Sequence, residues 1–152
     1  MPYALRFTGR QPGLPEVTQR QLTINSADRP IGSGMISPNG KILVYGDGQG
    51  LHLQLIDTGE TQNLSLPEEL KGKDIYWENG SWFPDSTKFV VNSRPIGAAE
   101  ILSSKSQNTS IWTFYIGSER ARKLRDEAYA CAVSPDGSLI TFETNRGPLW
   151  RS

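Results

Sequence analysis

Three segments decide the reading of this chain: Met35-Ile36-Ser37-Pro38-Asn39-Gly40-Lys41-Ile42-Leu43-Val44-Tyr45, Ser81-Trp82-Phe83-Pro84-Asp85-Ser86-Thr87-Lys88-Phe89-Val90-Val91 and Ala132-Val133-Ser134-Pro135-Asp136-Gly137-Ser138-Leu139-Ile140-Thr141-Phe142. In each, a short apolar stretch enters Pro-Asp/Asn-Gly/Ser and leaves through β-rich sequence. Proline pre-sets φ for the first turn position, Asp or Asn suits the second, and glycine takes the positive φ that lets the next strand twist away. Each segment therefore predicts a tight hairpin. Ser86 stands in the glycine position of the middle copy, so that turn is expected to be more strained or longer. The key prolines lie 46 and 51 residues apart, a spacing that marks an internal repeat.

Outward from the hairpins, a second feature recurs: Gly50 to Asp57, Ser110 to Gly117, and the shorter Gly147-Pro148-Leu149-Trp150 all read as strands by their β-branched and aromatic content. A third is a polar strand ending in leucine, at Thr61-Gln62-Asn63-Leu64, at Ala121-Arg122-Lys123-Leu124 and, ahead of the first hairpin, at Gln19-Arg20-Gln21-Leu22. Leu51 precedes Leu64 by 13 residues, and Ile111 precedes Leu124 by the same 13. These strand pairs superpose without a gap.

One unit is thus four short antiparallel strands, and such units of about 40 to 50 residues are the blades of a β-propeller. The expected organisation is an N-terminal extension over 1–16 and a partial propeller over 17–152. Within it lie an outer strand at 17–22, blades at 32–64 and 79–124, and an incomplete blade at 128–152. About three blades fall short of the four or so that close a ring, so the fold expected is all-β, a section of a propeller with its ring not closed. A plain β-sandwich with regularly spaced turns is the alternative.

Composition agrees with a single soluble β-domain. The 152 residues are 36% hydrophobic and 21% charged, with 15 Gly, 10 Pro, four Trp, five Tyr and five Phe, which suits neither a helical bundle nor a disordered tail. Sixteen basic and sixteen acidic side chains cancel. The densest basic run, Arg120 to Arg125, is short, so neither nucleic acid nor an anionic membrane is an expected partner. No apolar run approaches a membrane span and Met1-Pro2-Tyr3-Ala4-Leu5-Arg6 lacks a signal-peptide core, so the chain as written is expected in the cytoplasm unless a parent protein carries it elsewhere. Cys131, the single cysteine, cannot form an internal disulfide.

Ser37-Pro38-Asn39-Gly40-Lys41 and Ser134-Pro135-Asp136-Gly137-Ser138, each followed by alternating apolar residues, resemble the signature of TolB-like, WD-type propeller repeats of bacteria. The wider set Arg20-Gln21-Leu22-Thr23, Leu55 to Thr61, Ser81 to Asp85, Ser110-Ile111-Trp112 and Arg122 to Asp126 resembles the propellers that follow a protein-kinase or winged-helix domain in large bacterial signalling proteins. The resemblance covers about residues 18 to 150 and implies an interaction or sensing module. A related possibility is the propeller portion of a prolyl-oligopeptidase-like serine peptidase, where blades gate a separate hydrolase domain.

Residues that could carry chemistry are few. His52 is the only histidine and sits in Leu51-His52-Leu53-Gln54-Leu55, facing away from the leucines in the register of Trp112 and Trp150; a packing role is expected. No Gly-x-Ser-x-Gly elbow is present, and one His with one Cys 79 residues away supplies no zinc shell. Asp85 and Asp136 share the hairpin position of Asn39, which accounts for them without acid/base work. Gly46-Asp47-Gly48-Gln49-Gly50 lies between strands with no helix behind it, so it reads as a hairpin turn and not a phosphate cradle. Asn63-Leu64-Ser65, Asn79-Gly80-Ser81 and Asn108-Thr109-Ser110 match the glycosylation tripeptide by chance. Ser65-Leu66-Pro67-Glu68 has capping-box spacing and predicts one helical turn through Leu70. No enzyme activity, catalytic residue, metal or cofactor is expected.

The expected partner is a protein or peptide, or the remaining blades of a parent propeller, with self-association through unpaired terminal blades. The long connections, Ser65 to Glu78 and Ser93 to Thr109, should rise from one end of neighbouring blades, because in a meander the second-to-third and blade-to-blade connections share an end. That places Tyr76, Trp77 and Glu78 beside Arg94, Glu100 and Lys105 as the candidate binding residues.

Overall fold

The structure, a computed structural model, describes residues 19–24, 27–28, 30–96, 108–144 and 147–151. Three antiparallel meanders follow one another. The first runs β1 (Ser33–Ile36), β2 (Ile42–Asp47), β3 (Gly50–Leu55) and β4 (Thr61–Asn63), and the second β5 (Ile75–Trp82), β6 (Lys88–Pro95), β7 (Ser110–Tyr115) and β8 (Ala121–Asp126). The third holds β9 (Ala128–Val133), β10 (Ile140–Thr144) and β11 (Gly147–Arg151). Each strand pairs with its neighbour in sequence order, as blades require.

All three Pro-Asp/Asn turns close with the same backbone bond, from Gly40 to Ser37, from Ser86 to Phe83 and from Gly137 to Ser134, at 2.8 to 3.0 Å. Asn39, Asp85 and Asp136 each accept the backbone N–H two residues on, from Lys41, Thr87 and Ser138. The middle turn is not longer. Ser86 adopts φ 60°, matching 71° at Gly40 and 73° at Gly137, so the missing glycine appears as strain alone. Its hydroxyl accepts the Asn39 N–H of the first blade at 3.2 Å, a contact glycine could not make.

Three sequence expectations differ locally. The inner strand of the second blade begins at Ile75 instead of residue 79, because Ile75 and Trp77 alternate into the apolar core and a bulge between Glu78 and Ser81 hides the alternation from the linear pattern. Residues 19–22 form no ladder; Arg20 Nη2 donates to the Ile56 carbonyl and Gln54 Nε2 to the Leu22 carbonyl, each at 2.9 Å. The helical turn forms over Glu68–Leu70 as a 3-10 turn, but Pro67 occupies its N-cap and no side chain caps it. Ser65 therefore builds no capping box. Leu70 from that turn is buried in the core. Among the described residues no helix is long and apolar enough to cross a membrane.

Period-two alternation buries both faces of the central strands. Ile42, Val44, Leu51 and Leu53 of the first blade meet Phe89, Val91, Trp112 and Phe114 of the second, with Trp77 and Trp82 from the inner strand. Phe89 and Phe114 stack with ring centroids 5.6 Å apart. The opposite face of the second blade puts Val90 and Ile111 against Ala128, Ala130 and Phe142 of the third.

Polar clamps fix neighbouring blades. Asn92, fully buried, donates to the Ala130 carbonyl at 3.0 Å and accepts the Ala130 N–H at 2.7 Å. Ser33 Oγ donates to the Trp77 carbonyl, Trp82 Nε1 to the Met35 carbonyl, and Val133 N–H to Ser81 Oγ. Where the second blade carries Asn92, the first carries Gly46. A Cβ there would lie 2.4 Å from that of Trp77, so the glycine admits close packing between blades.

Candidate interaction site at the loop-bearing end

The second-to-third hairpin of the first blade, the linker into β5 and the end of β6 converge. Ile96 N–H donates to the Asp74 carbonyl at 2.8 Å, and Ile75 pairs with Pro95, so the described ends of both long connections meet. Between this junction and Gly46-Asp47-Gly48 lies a cavity of about 430 Å³, walled by Pro30, Ile31, Ile75, Tyr76, Trp77 and Ile96 among others. Most of its wall is apolar, and Tyr76 (39% exposed) and Ile96 (60%) stand at it as solvent-facing side chains. This is the concave, mostly apolar shape that binding sites favour.

Strand register explains which of the expected site residues come together. Tyr76 pairs with Arg94 across β5 and β6, and the guanidinium lies 5.3 Å from the centre of the tyrosine ring. Arg94 Nη2 also reaches Glu78 Oε1 at 3.4 Å, a long ion pair. Glu78 Oε2 is buried without a hydrogen-bond partner. Trp77, expected at the surface with its neighbours, is only 2% exposed: it points to the opposite face of β5, packs edge-on to Phe114 and contributes a wall of the cavity. Its indole N–H is buried with no hydrogen-bond partner. Glu100 and Lys105 lie outside the described residues.

Tyr129 on β9 belongs to the same surroundings. Burial raises its phenol pKa, and the negative charge of Glu78 adds to the rise, so it stays a neutral hydroxyl. Sequence reasoning missed Tyr129 because nothing in Ala128-Tyr129-Ala130 marks it as lying near Glu78 and Tyr76.

His52 is held on both sides. Nε2 lies 2.8 Å from Asp47 Oδ1 and Nδ1 2.8 Å from Asn63 Oδ1, while Tyr45 stacks on the ring at 4.9 Å. Burial alone would raise the Asp47 pKa; hydrogen bonds from His52 and the Gln49 and Gly50 backbone outweigh it and hold the carboxyl below its ordinary value. Both ring nitrogens are engaged in structural contacts. Asp85 and Asp136 likewise serve their turns, and hydrogen bonds led by that from Ser134 lower the Asp136 pKa to about 2. Among the described residues no group of three or more His, Cys, Asp or Glu side chains is placed to hold a metal.

Two cations of the basic run on β8 are held against their neighbours. Lys123 reaches Glu69 and Asp126 at 3.0 and 3.1 Å and lies over Trp112, while Arg125 lies over Phe142. Hydrogen bonding to Glu69, then Asp126, raises the Lys123 pKa.

No family model matches the chain, and no curated protein does. Among solved structures it is similar to prolyl endopeptidases analysed for inter-domain dynamics in catalysis and specificity, with 18% identity, a TM-score of 0.52, and coverage of 75% of this chain and 18% of that one. It is also similar to a TolB from Agrobacterium tumefaciens, with 17% identity, a TM-score of 0.36, and coverage of 81% and 58%. The chain thus spans less than a fifth of the endopeptidase, and at such identity the likeness is one of fold. Sheet order, inter-blade packing and that likeness make the described residues an all-β section of a β-propeller whose ring is not closed.

Proposed function

We propose that this chain is a non-catalytic interaction or sensing module that receives a protein or peptide segment at its loop-bearing end. The observation that carries the reading is the cavity between the first two blades, where exposed Tyr76 and Ile96 border a mostly apolar wall to which Trp77 contributes. An apolar side chain entering there removes the rim from water. The engagement of both His52 nitrogens supports a role without nucleophilic catalysis. The resemblance of its repeats suggests a larger bacterial signalling protein as the setting.

The test is selection of short peptides from a random display library against the whole chain, followed by titration monitored through tryptophan indole N–H resonances. Binding that shifts one indole resonance, absent in Trp77→Phe, and weakens at least tenfold in Tyr76→Ala is expected. Peptides that bind equally well to both variants would remove the site from consideration. A second reading, the propeller portion of a prolyl-oligopeptidase-like peptidase, is favoured by the structural likeness with a TM-score of 0.52. A hydrolase with a Gly-x-Ser-x-Gly elbow encoded next to this chain supports it, whereas kinase motifs or a winged helix there support the signalling reading.

A further inference from the structure

At the other end of the second blade, the hairpin joining β7 to β8 and Pro67 of the linker border a cleft of about 610 Å³, lined by Tyr115, Glu119, Arg120 and Arg122 among others. Strand alternation sets Arg120 and Arg122 on one side of the chain, about 7 Å apart along it. Arg122 pairs across to Thr113, which shares its face with Tyr115. Other cations nearby are already engaged: Lys88 lies 4.3 Å from the centre of the Phe83 ring, Lys123 reaches Glu69 and Asp126, and Arg125 lies over Phe142. Arg120 and Arg122 are exposed, and among the described residues neither guanidinium has an ion pair, ring contact or hydrogen bond, Glu119 of the same cleft included.

The first blade shows that this opening belongs to the position itself. Leu55, Glu60 and Gln62 match Tyr115, Arg120 and Arg122, and they face a complete four-stranded blade. Leu55 is nevertheless 38% exposed, the same as Tyr115, and Glu60 and Gln62 are exposed as well. What differs is chemistry: an aliphatic, an acid and an amide become an aromatic and two guanidinium groups. The backbone adds a second feature. β8 ends the order of its sheet and pairs only with β7 among the described residues, so one edge from Ala121 to Lys123 is open, as far as the register shift at Leu124. Open edges accept a further strand, and unpaired basic side chains beside one repel basic strands and attract acidic ones.

We propose that the start of β8 docks an extended acidic segment of a partner protein, with carboxylates two residues apart on Arg120 and Arg122 and an apolar side chain against Tyr115. Alternate side chains of an extended peptide repeat at the same spacing of about 7 Å, and a planar guanidinium takes a carboxylate through two parallel hydrogen bonds. Two free guanidinium groups are too few to hold a nucleic acid against salt. The site lies away from the cavity between the first two blades and does not rest on peptide binding there.

The test follows amide resonances of the isotopically labelled full chain on titration with the capped peptide Thr-Glu-Val-Glu-Phe-Thr, its counterparts with Gln or Lys in place of Glu, and inorganic phosphate. Shifts centred on Tyr115 and residues 118–123 are expected, with affinity about tenfold or more above that of the Gln peptide. Binding should weaken as salt rises from about 0.05 to 0.5 M. Arg120→Gln with Arg122→Gln should weaken it about tenfold or more without moving the thermal midpoint, because both side chains stand in water. Arg120→Glu with Arg122→Glu should transfer the preference to the Lys peptide, and Tyr76→Ala, in the distant cavity, should leave binding unchanged. No binding, equal binding of the Gln peptide, retention in the double Gln variant, loss in Tyr76→Ala, or the same shifts from phosphate at the same concentration, which would make this a small-anion site only, would each overturn the proposal.

Discussion

The first and second blades present equivalent faces to whatever precedes them, built from strands that superpose residue for residue, yet their chemistry differs. On the second blade that face is Phe89, Val91, Trp112 and Phe114, sealed against the first blade. On the first blade the same positions are Leu43, Tyr45, His52 and Gln54. Even one hydrogen bond corresponds: Trp112 Nε1 donates to Ser93 Oγ at 2.9 Å where His52 Nε2 meets Asp47 at 2.8 Å. The backbone repeat supplies the positions, and the neighbour decides what fills them. Facing a fully apolar sheet, the ring at this position is an indole that brings a large hydrophobic surface with one donor. Facing no described blade, it is an imidazole tied into a polar network.

The largest expected effect separates these two rings. Trp112→Ala should cost about 3 to 5 kcal/mol by the usual penalty for emptying a large aromatic site, measured by urea denaturation. His52→Ala should cost about 1 to 3 kcal/mol, the loss of hydrogen-bond partners at a buried polar site. Equal costs would mean that the two faces are equally load-sharing and would dissolve the contrast.

Next comes the clamp that the second blade has and the first lacks. Asn92→Ala strands both the N–H and the carbonyl of Ala130, and should cost about 2 kcal/mol or more, with hydrogen exchange accelerated selectively in β9. Uniform acceleration across all three sheets would show that Asn92 does not act at this boundary in particular.

A smaller effect concerns pH. Because the Asp47 carboxyl titrates below its ordinary value of 3.8 in the folded chain, the unfolded chain takes up that proton first as pH falls. The stability contributed by its contacts is present above about pH 4 and is lost on further acidification. Asp47→Asn should therefore flatten part of the fall in urea midpoint between about pH 5 and 3. Asp85, Asp126 and Asp136, also lowered, act in the same direction. An unchanged slope would show that Asp47 and His52 contribute nothing through ionisation.

Smallest is the turn comparison. Gly40→Ser places a side chain at φ 71° with no partner in reach and should cost about 1 kcal/mol. Ser86→Gly relieves similar strain but loses the bond to Asn39, and its thermal midpoint should stay within about a degree of the parent. A clear gain in Ser86→Gly would mean that the inter-blade bond carries little.

Much of this was legible in the linear chain because the features are local. A Pro-Asp-Gly turn needs only four residues to declare itself, and alternation of Leu51, His52, Leu53 and Gln54 assigns two faces before any neighbour is known. The candidate site was legible only in part. Counting connections puts Tyr76 and Arg94 at one end, and the structure pairs them across β5 and β6. Trp77 was misplaced because the bulge between Glu78 and Ser81 shifts the period by one residue, so the alternation that buries it could not be followed back from the hairpin.

The sequence by itself determined the blades: their number, their turns, the order of their strands and the two-sided burial of β6 and β7, all consequences of φ preferences and period-two patterning over a few residues. Only the tertiary structure decided which polar groups would be satisfied and by whom. That Asn92 grips Ala130, that Ser86 bonds Asn39 and that His52 rests between Asp47 and Asn63 depend on distances between chain segments brought together by blade stacking. The physical reason is range. Steric and conformational preferences act within a turn, whereas a hydrogen bond or a cavity needs groups separated by tens of residues to arrive within about 3 Å of one another, which only packing can arrange.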